Sequence, residues 1–510
     1  MSVRSKELTP RTGYEREAEH RLGTKSAASA ANLCGLFFIG LYLVAASWLF
    51  GGVVLWTKLI LLAISIIAFL AAMAPAPNRA ERRSAASRTR ASLRRLVSFP
   101  PFWFGLLLFS YVFLQWLNPA WTLIVEDGKW WLTNEGLTPR PNWPSSIQIA
   151  PEHGGVGDFL VRFGSVWLIV CAGWILIRTR RSLLSLLIVF AINSFFVAVV
   201  AIIQEMQQPD KVLWLYPWKG NDFSGPFFYR NHGGAFFYLS MSVSFGLALY
   251  FQRVRNLIRQ RSSPGPVFVI FGLVNAGATV ASGSRAGWIF GAAILALYLL
   301  LATGIWLRKR QWRGGLAGAI IVAGSILILT GSIVASQQSE YLEYHFARFL
   351  QIPAELERSG RTIGNEASLQ MIEDVKIFGY GADSYEFAFA FYMKDYPELV
   401  RTHRRSGSTR TNWVQAHNDP LQMAVELGIV GASILALSPL FFLVLFLLRF
   451  LRFREETILW LVSVLLLFAH SFVDLIFMST VLLALFAFLL LSIERSLFFE
   501  KPSNDLQKTS

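Results

Sequence analysis

The feature that most constrains this chain is its repeated apolar runs of bilayer-spanning length. A run of about 18 or more apolar residues suggests a membrane-spanning helix, because a helix satisfies its own backbone where no water is available. Twelve segments are read as spans, at 33–50, 54–74, 102–122, 159–177, 183–204, 233–251, 266–281, 287–306, 316–334, 421–448, 457–474 and 476–493. The expected fold class is all-α: a polytopic membrane protein of about twelve transmembrane helices with one large, partly helical outward-facing loop. Composition agrees, with 54% hydrophobic and 15% charged residues, against roughly 25% charged in soluble proteins.

Charge sets an expected orientation. Basic clusters follow each even-numbered span up to the tenth: "NRAERRSAASRTRASLRR", "RTRR", "RVRNLIRQR", "RKRQWR" and "RFLRFR". Such clusters collect in cytoplasmic loops. Both termini are then expected in the cytoplasm, and the odd-to-even connections on the outer side. The same bias accounts for the net charge of +15 without nucleic acid, for which no aromatic-plus-basic module is present. Cys34 and Cys171 both fall in apolar runs, so no disulfide framework or cysteine metal site follows. No cleavable signal is expected, because about thirty polar residues precede the first apolar run.

The expected organisation is a polar tail at 1–32, helices one to nine at 33–334, a large outward-facing loop at 335–420, helices ten to twelve at 421–493 and a second polar tail at 494–510. Two shorter outward connections are expected as well. One runs from Glu126 to Asp158 and is rich in Trp and Pro; the other runs from Gln204 to His232. Within the large loop, "EYLEYHFARFL" and "NEASLQMIEDVKIF" have helical spacing.

Four outward stretches hold residues suited to chemistry. "TNWVQAHNDPLQM" places His417, Asn418 and Asp419 at the mouth of the tenth span. Histidine has an unperturbed pKa near ~6.5 and suits general base work. Asp419 could orient the ring, or could cap the helix that follows. Three arginines stand on the outer side, where basic residues are sparse: Arg230, Arg285 and Arg361. Each could snorkel to lipid headgroups, or its planar fork could bind an anion such as phosphate. Small residues around Arg285 favour a buried role. Beside Arg230, Asn231 and His232 open a helix whose N–H groups also favour an anion. "FGYGADSY" lacks the strand–GxGxxG–helix context of a dinucleotide site and reads as a turn. The histidines show no HExxH-type spacing and no paired-Asp motif is present, so neither metal nor cofactor is expected.

These residues resemble the O-antigen ligase and O-antigen polymerase family of bacterial envelope glycosyltransferases. The resemblance is carried by "FSGPFFYRNHGGAFF", "SGSRAGWIFGAA", "GNEASLQMIEDVKIFGYGADSYEFAF" and "AHNDPLQMAVELGIVG", within about residues 160–490. It implies a glycan donor on undecaprenyl diphosphate and transfer at the periplasmic face of the inner membrane. A ligase would deliver the glycan to lipid A–core; a polymerase would deliver it to a second lipid-linked repeat. By matching motif, His417 is implied as the catalytic histidine, and Arg285, Arg230 and Arg361 as diphosphate-binding residues. The chemistry is consistent: a base activates the acceptor hydroxyl, arginines can stabilise the leaving diphosphate without a metal, and direct displacement inverts the anomeric centre. The Trp/Pro-rich first loop and the basic N-terminal tail depart from the family pattern.

A secondary transporter is the rival class. Transporters place substrate sites near the midplane between repeated halves, whereas here no repeat is visible and the polar clusters gather at outer helix ends.

Overall fold

The computed structural model describes residues 30–74, 85–150, 153–207, 209–217, 223–257, 262–308, 360–402, 409–411 and 413–500. The expected ninth span and loop segment 335–359 lie outside the described residues. The protein is mostly helical. Its bundle comprises α1 (Ala30–Trp48), α2 (Leu55–Met73), α3 (Ala85–Val97), α4 (Pro100–Trp116), α5 (Val156–Leu176), α6 (Arg180–Gln207), α7 (Arg230–Leu257), α8 (Gly265–Ala281) and α9 (Arg285–Arg308). After α10 (Gly360–Asp374), it is completed by α12 (Asp419–Leu448), α13 (Glu455–His470) and α14 (Thr480–Phe499), the short turn Tyr385–Ala388 being α11.

Among the described residues eight helices are long and apolar enough to cross a membrane, or nine if the bent pair α3–α4 is one span. The twelve expected spans are not all reproduced, because several apolar runs contain breaks. The helix at 102–122 stops at Trp116, and the chain becomes a strand from Pro119. The run 457–474 stays helical only to His470 and then forms irregular backbone up to Ser479. α8 is apolar but has 17 residues.

The Trp/Pro-rich connection is a folded layer rather than a loop. Strand β1 (Pro119–Glu126) pairs antiparallel with β2 (Lys129–Thr133) and parallel with β3 (Ser146–Gln148). Asp127 and Gly128 join β1 to β2 with φ values of 49° and 72°, the left-handed turn that suits the twist of a tight hairpin. Leu123 and Ile147 of this sheet pack with Ala367 and Met371 of α10, Phe387, Phe389 and Trp413 into a core of its own. The helices share the larger core.

α12 is broken. Gly428 has φ 63° and ψ −178°, a region essentially restricted to glycine. The chain after α10 fills the gap. The N–H groups of Tyr380 and Gly381 donate to the carbonyls of Val425 and Glu426 (2.9 and 2.8 Å), and Ile429 N–H donates to Lys376 (2.9 Å). Gln115 of α4 donates to the carbonyls of Phe378 (2.8 Å) and Glu426 (3.2 Å). Irregular backbone inside an apolar environment persists only when it is satisfied in this way. The Gly-x-Gly segment is thus a turn, as its sequence suggests, and its partner is the interrupted helix.

Gly428→Ala should be severely destabilising. An added Cβ would lie 2.4 Å from the Ile377 carbonyl oxygen and 2.6 Å from the Gly379 nitrogen. The backbone conformation alone costs ~1–3 kcal/mol for a residue with a side chain. Thermal unfolding in detergent should show a large drop for this variant. Gly157→Ala, where a Cβ meets nothing within 4 Å, should unfold like the wild type.

The two ends of the bundle differ. At the end carrying the α12 C-terminus, Arg180 pairs with Glu500, Arg253 with Glu456 and Glu500, and Arg449 with Glu494. The N-termini of α7, α9 and α12 point the other way.

Candidate functional site

The site forms where those N-termini meet the irregular segment between α13 and α14. Asn418 has an extended backbone and caps α12, its side-chain oxygen accepting the Leu421 N–H at 3.2 Å. Pro420, in the first helical turn, has no N–H to leave unsatisfied. The carboxylate of Asp419 does not turn toward His417. It accepts the N–H groups of Ile476 and Phe477, both at 2.8 Å, while Asp419 N–H donates to Ser471 (2.8 Å). Of the two roles expected for Asp419, the cap belongs to Asn418, and ring orientation is left to another residue.

The carboxylate that faces the ring is Asp474, within the segment that Asp419 holds. Its side chain is 1% exposed. His417 Nδ1 lies 3.6 Å from Asp474 Oδ1, ion-pair range but long for a hydrogen bond. Arg361 of α10 donates to Oδ2 at 3.1 Å, Tyr229 Oη donates to Oδ1 at 2.9 Å, and the Asn231 amide donates to Oδ2. Burial opposes the charge of Asp474, but the approach of His417 and the positive charge of Arg361 outweigh it and hold the carboxyl well below the usual carboxylate range. Burial, reinforced by the same carboxylate, pushes the Tyr229 hydroxyl up.

His417 is held from two further sides. Its backbone has φ 52°, uncommon for a residue with a side chain and sustained only by surrounding contacts. Its ring lies 5.0 Å from that of Trp413. Trp413 packs over Gly364 of α10, where a Cβ would come within 2.1 Å of the indole. α10 therefore does two things three residues apart: Arg361 reaches Asp474, and Gly364 seats the ring that backs His417. The His417 side chain remains 29% exposed and that of Arg361 45%, so both can meet a ligand.

The remaining expected residues cluster nearby. Arg230 is the first residue of α7, between Tyr229 and Asn231. His232 is buried, and its Nε2–H donates to the Leu475 carbonyl, a second clamp on the Asp474 segment. Arg285 begins α9, and Ser284 before it lies against Gly234 of α7, one helical turn from Arg230. Asp474, Tyr229 and His470 were not anticipated. Buried His470, with Nδ1 3.2 Å from Tyr238 Oη, sits four residues before Asp474. The available signal was a single acidic residue inside "SFVDLIF", since ionisable groups in apolar spans are costly and usually functional.

An apolar groove of about 350 Å³ adjoins the site. Asp419, Pro420 and Met478 line one end, and Phe104, Trp167 and Phe442 continue it between α4, α5, α12 and α14.

Together these features define a multi-pass membrane protein with a histidine, a buried carboxylate and arginines gathered at one end of its helices. Residues 268–436 match the sequence model of the family described as O-Antigen ligase, a match that agrees with the resemblance carried by the sequence motifs and supports a membrane glycosyltransferase-like role. The match includes Arg285, Arg361 and His417; Arg230, Asn231 and Asp474 lie outside it. No curated protein and no solved structure gives a significant match.

Proposed function

We propose that the protein moves a glycan from an undecaprenyl-diphosphate carrier to an acceptor hydroxyl, on lipid A–core or a similar glycolipid, at the periplasmic face of the inner membrane. The observation that carries this reading is the exposed edge of His417, backed by the buried Asp474 carboxylate, beside Arg361. His417 takes the proton of the acceptor hydroxyl as the oxygen attacks the anomeric carbon. The C–O bond to the diphosphate breaks with its electron pair, and the configuration inverts. Asp474 orients the ring and stabilises the imidazolium that forms. Arg361, Arg285 and Arg230 take up the charge of the leaving diphosphate. The groove that ends at Asp419 suits an apolar polyprenyl chain, which would bring its diphosphate to the arginines.

In this orientation the His417 end is periplasmic, and the ion-paired end of α6, α7, α12 and α14 is cytoplasmic. The large loop then extends from 335 to 420, with both termini inside.

The glycan profile of a deletion strain tests the reading. Loss of long chains on lipid A, with lipid-linked polymer retained, is the expected result. Single repeats on every acceptor would show instead a polymerase whose acceptor is a second lipid-linked repeat. An unchanged profile for both glycans would remove glycosyl transfer as the function.

A further inference from the structure

The opposite end of the bundle carries a cationic surface that the transfer chemistry does not use. α3 reads "AASRTRASLRRLV" and meets α4 at a bend of 71°. Pro100 and Pro101 open α4; proline lacks an N–H and restricts the residue before it, so α3 cannot continue into the span. Ser92 and Leu96 of α3 are buried, whereas Arg90, Arg94 and Arg95 are exposed, as are Leu93 and Val97. A short helix with arginines beside exposed aliphatic residues, set at a steep angle to a membrane span, fits the plane of the bilayer surface. Trp103, exposed and donating its indole N–H to the Val97 carbonyl (2.9 Å), is the kind of aromatic found at that depth.

The helix does not stand alone. Phe99, just beyond α3, stacks on Trp174 at 4.2 Å, and the guanidinium of Arg495 lies 3.8 Å from the centre of the same indole. Glu494 is shared between Arg449 (2.6 Å) and Arg495 (3.5 Å). Among the described residues, Arg90, Arg94 and Arg95 form no ion pair, and Arg95 adds its charge to the Arg449 and Arg495 that share Glu494, so cations outnumber carboxylates at this corner. Stacking on Trp174 fixes Arg495 in place despite its like-charged neighbours.

We propose that this corner, formed by α3 and the adjoining ends of α12 and α14, binds the phosphate headgroup of an anionic phospholipid of the surrounding leaflet. The charge excess supplies the attraction. The bend at Pro100 sets the arginines at headgroup depth, and Leu93 and Val97 dip toward the acyl chains. The partner is a bilayer lipid rather than a soluble phosphate, because the arginines are interleaved with exposed aliphatic side chains.

Native mass spectrometry of the detergent-solubilised full-length protein, titrated in parallel with phosphatidylglycerol and phosphatidylcholine, tests this. Wild-type protein should retain phosphatidylglycerol preferentially, and an Arg94→Gln/Arg95→Gln double variant should bind it about tenfold or more weakly, given the usual contribution of interfacial basic residues. Arg94→Lys/Arg95→Lys should keep the preference. Equal binding of the two lipids by wild type, an unchanged preference in the glutamine variant, or a loss in the lysine variant as large as in the glutamine variant would each overturn the proposal. Glycan transfer does not enter this readout, so its result is independent of the function proposed for the other end.

Discussion

His417→Ala should lower glycan transfer by about 10²–10⁴-fold, the usual contribution of a positioned general base. The side chain is partly exposed and lies at the end of a helix capped by Asn418, so its removal should leave folding and donor binding close to wild type. His417→Gln is the stricter test. It keeps a polar side chain of similar reach but cannot accept the proton, so it should rescue little. Near-normal turnover of His417→Gln in a reconstituted transfer assay would show that the residue only packs against Trp413.

Asp474→Asn should rank second, costing between about 10²- and 10⁴-fold in turnover, the upper bound being what loss of the orienting carboxylate costs in a tightly coupled His–Asp pair. The 3.6 Å separation from His417 argues for a value below that bound. The change also removes a buried negative charge facing Arg361, Tyr229 and Asn231. Truncating one partner of such a buried pair typically costs about 3–5 kcal/mol, so unfolding should be measured alongside turnover. The carboxyl is held below its ordinary range in the folded protein. Its stabilising contribution is therefore present above the unfolded carboxylate pKa and is lost only as pH falls through the depressed folded value. Acid destabilisation through Asp474 is thus confined to pH below the ordinary carboxylate range. A variant that loses stability but keeps wild-type turnover would reduce Asp474 to a tie between segments.

What could be read from sequence follows from how local each feature is. Apolar runs report span positions, and Asn-Asp-Pro after His417 reports a helix start, because caps and turns act over a few residues. Their detailed roles were less legible. Asn418 and Asp419 are adjacent, yet one closes the helix and the other reaches a backbone 57 positions away. Asp474 was hidden for the same reason: its meaning comes from Tyr229, Arg361 and His417, all remote in the chain. The strands at 119–148 were obscured by composition, since Trp- and Pro-rich sequence carries little alternation until Asp127-Gly128 is read as a hairpin turn. Arg361 and Gly364 were in view as letters, but their shared purpose requires the helix to be docked.

The break in α12 has a further consequence for how this protein can be recombined. Residues 425–430, on both sides of Gly428, are joined through backbone bonds to 376–381, whereas Phe442 and Phe446 farther along the helix belong to the bundle core. A graft of the outer layer from a related chain that stops at Pro420, the apparent edge of the span, would separate two halves of one hydrogen-bonded seam. The natural seam for such a transplant lies beyond Val430, so a donor segment must carry its own Gly-x-Gly turn and both flanks of Gly428 together.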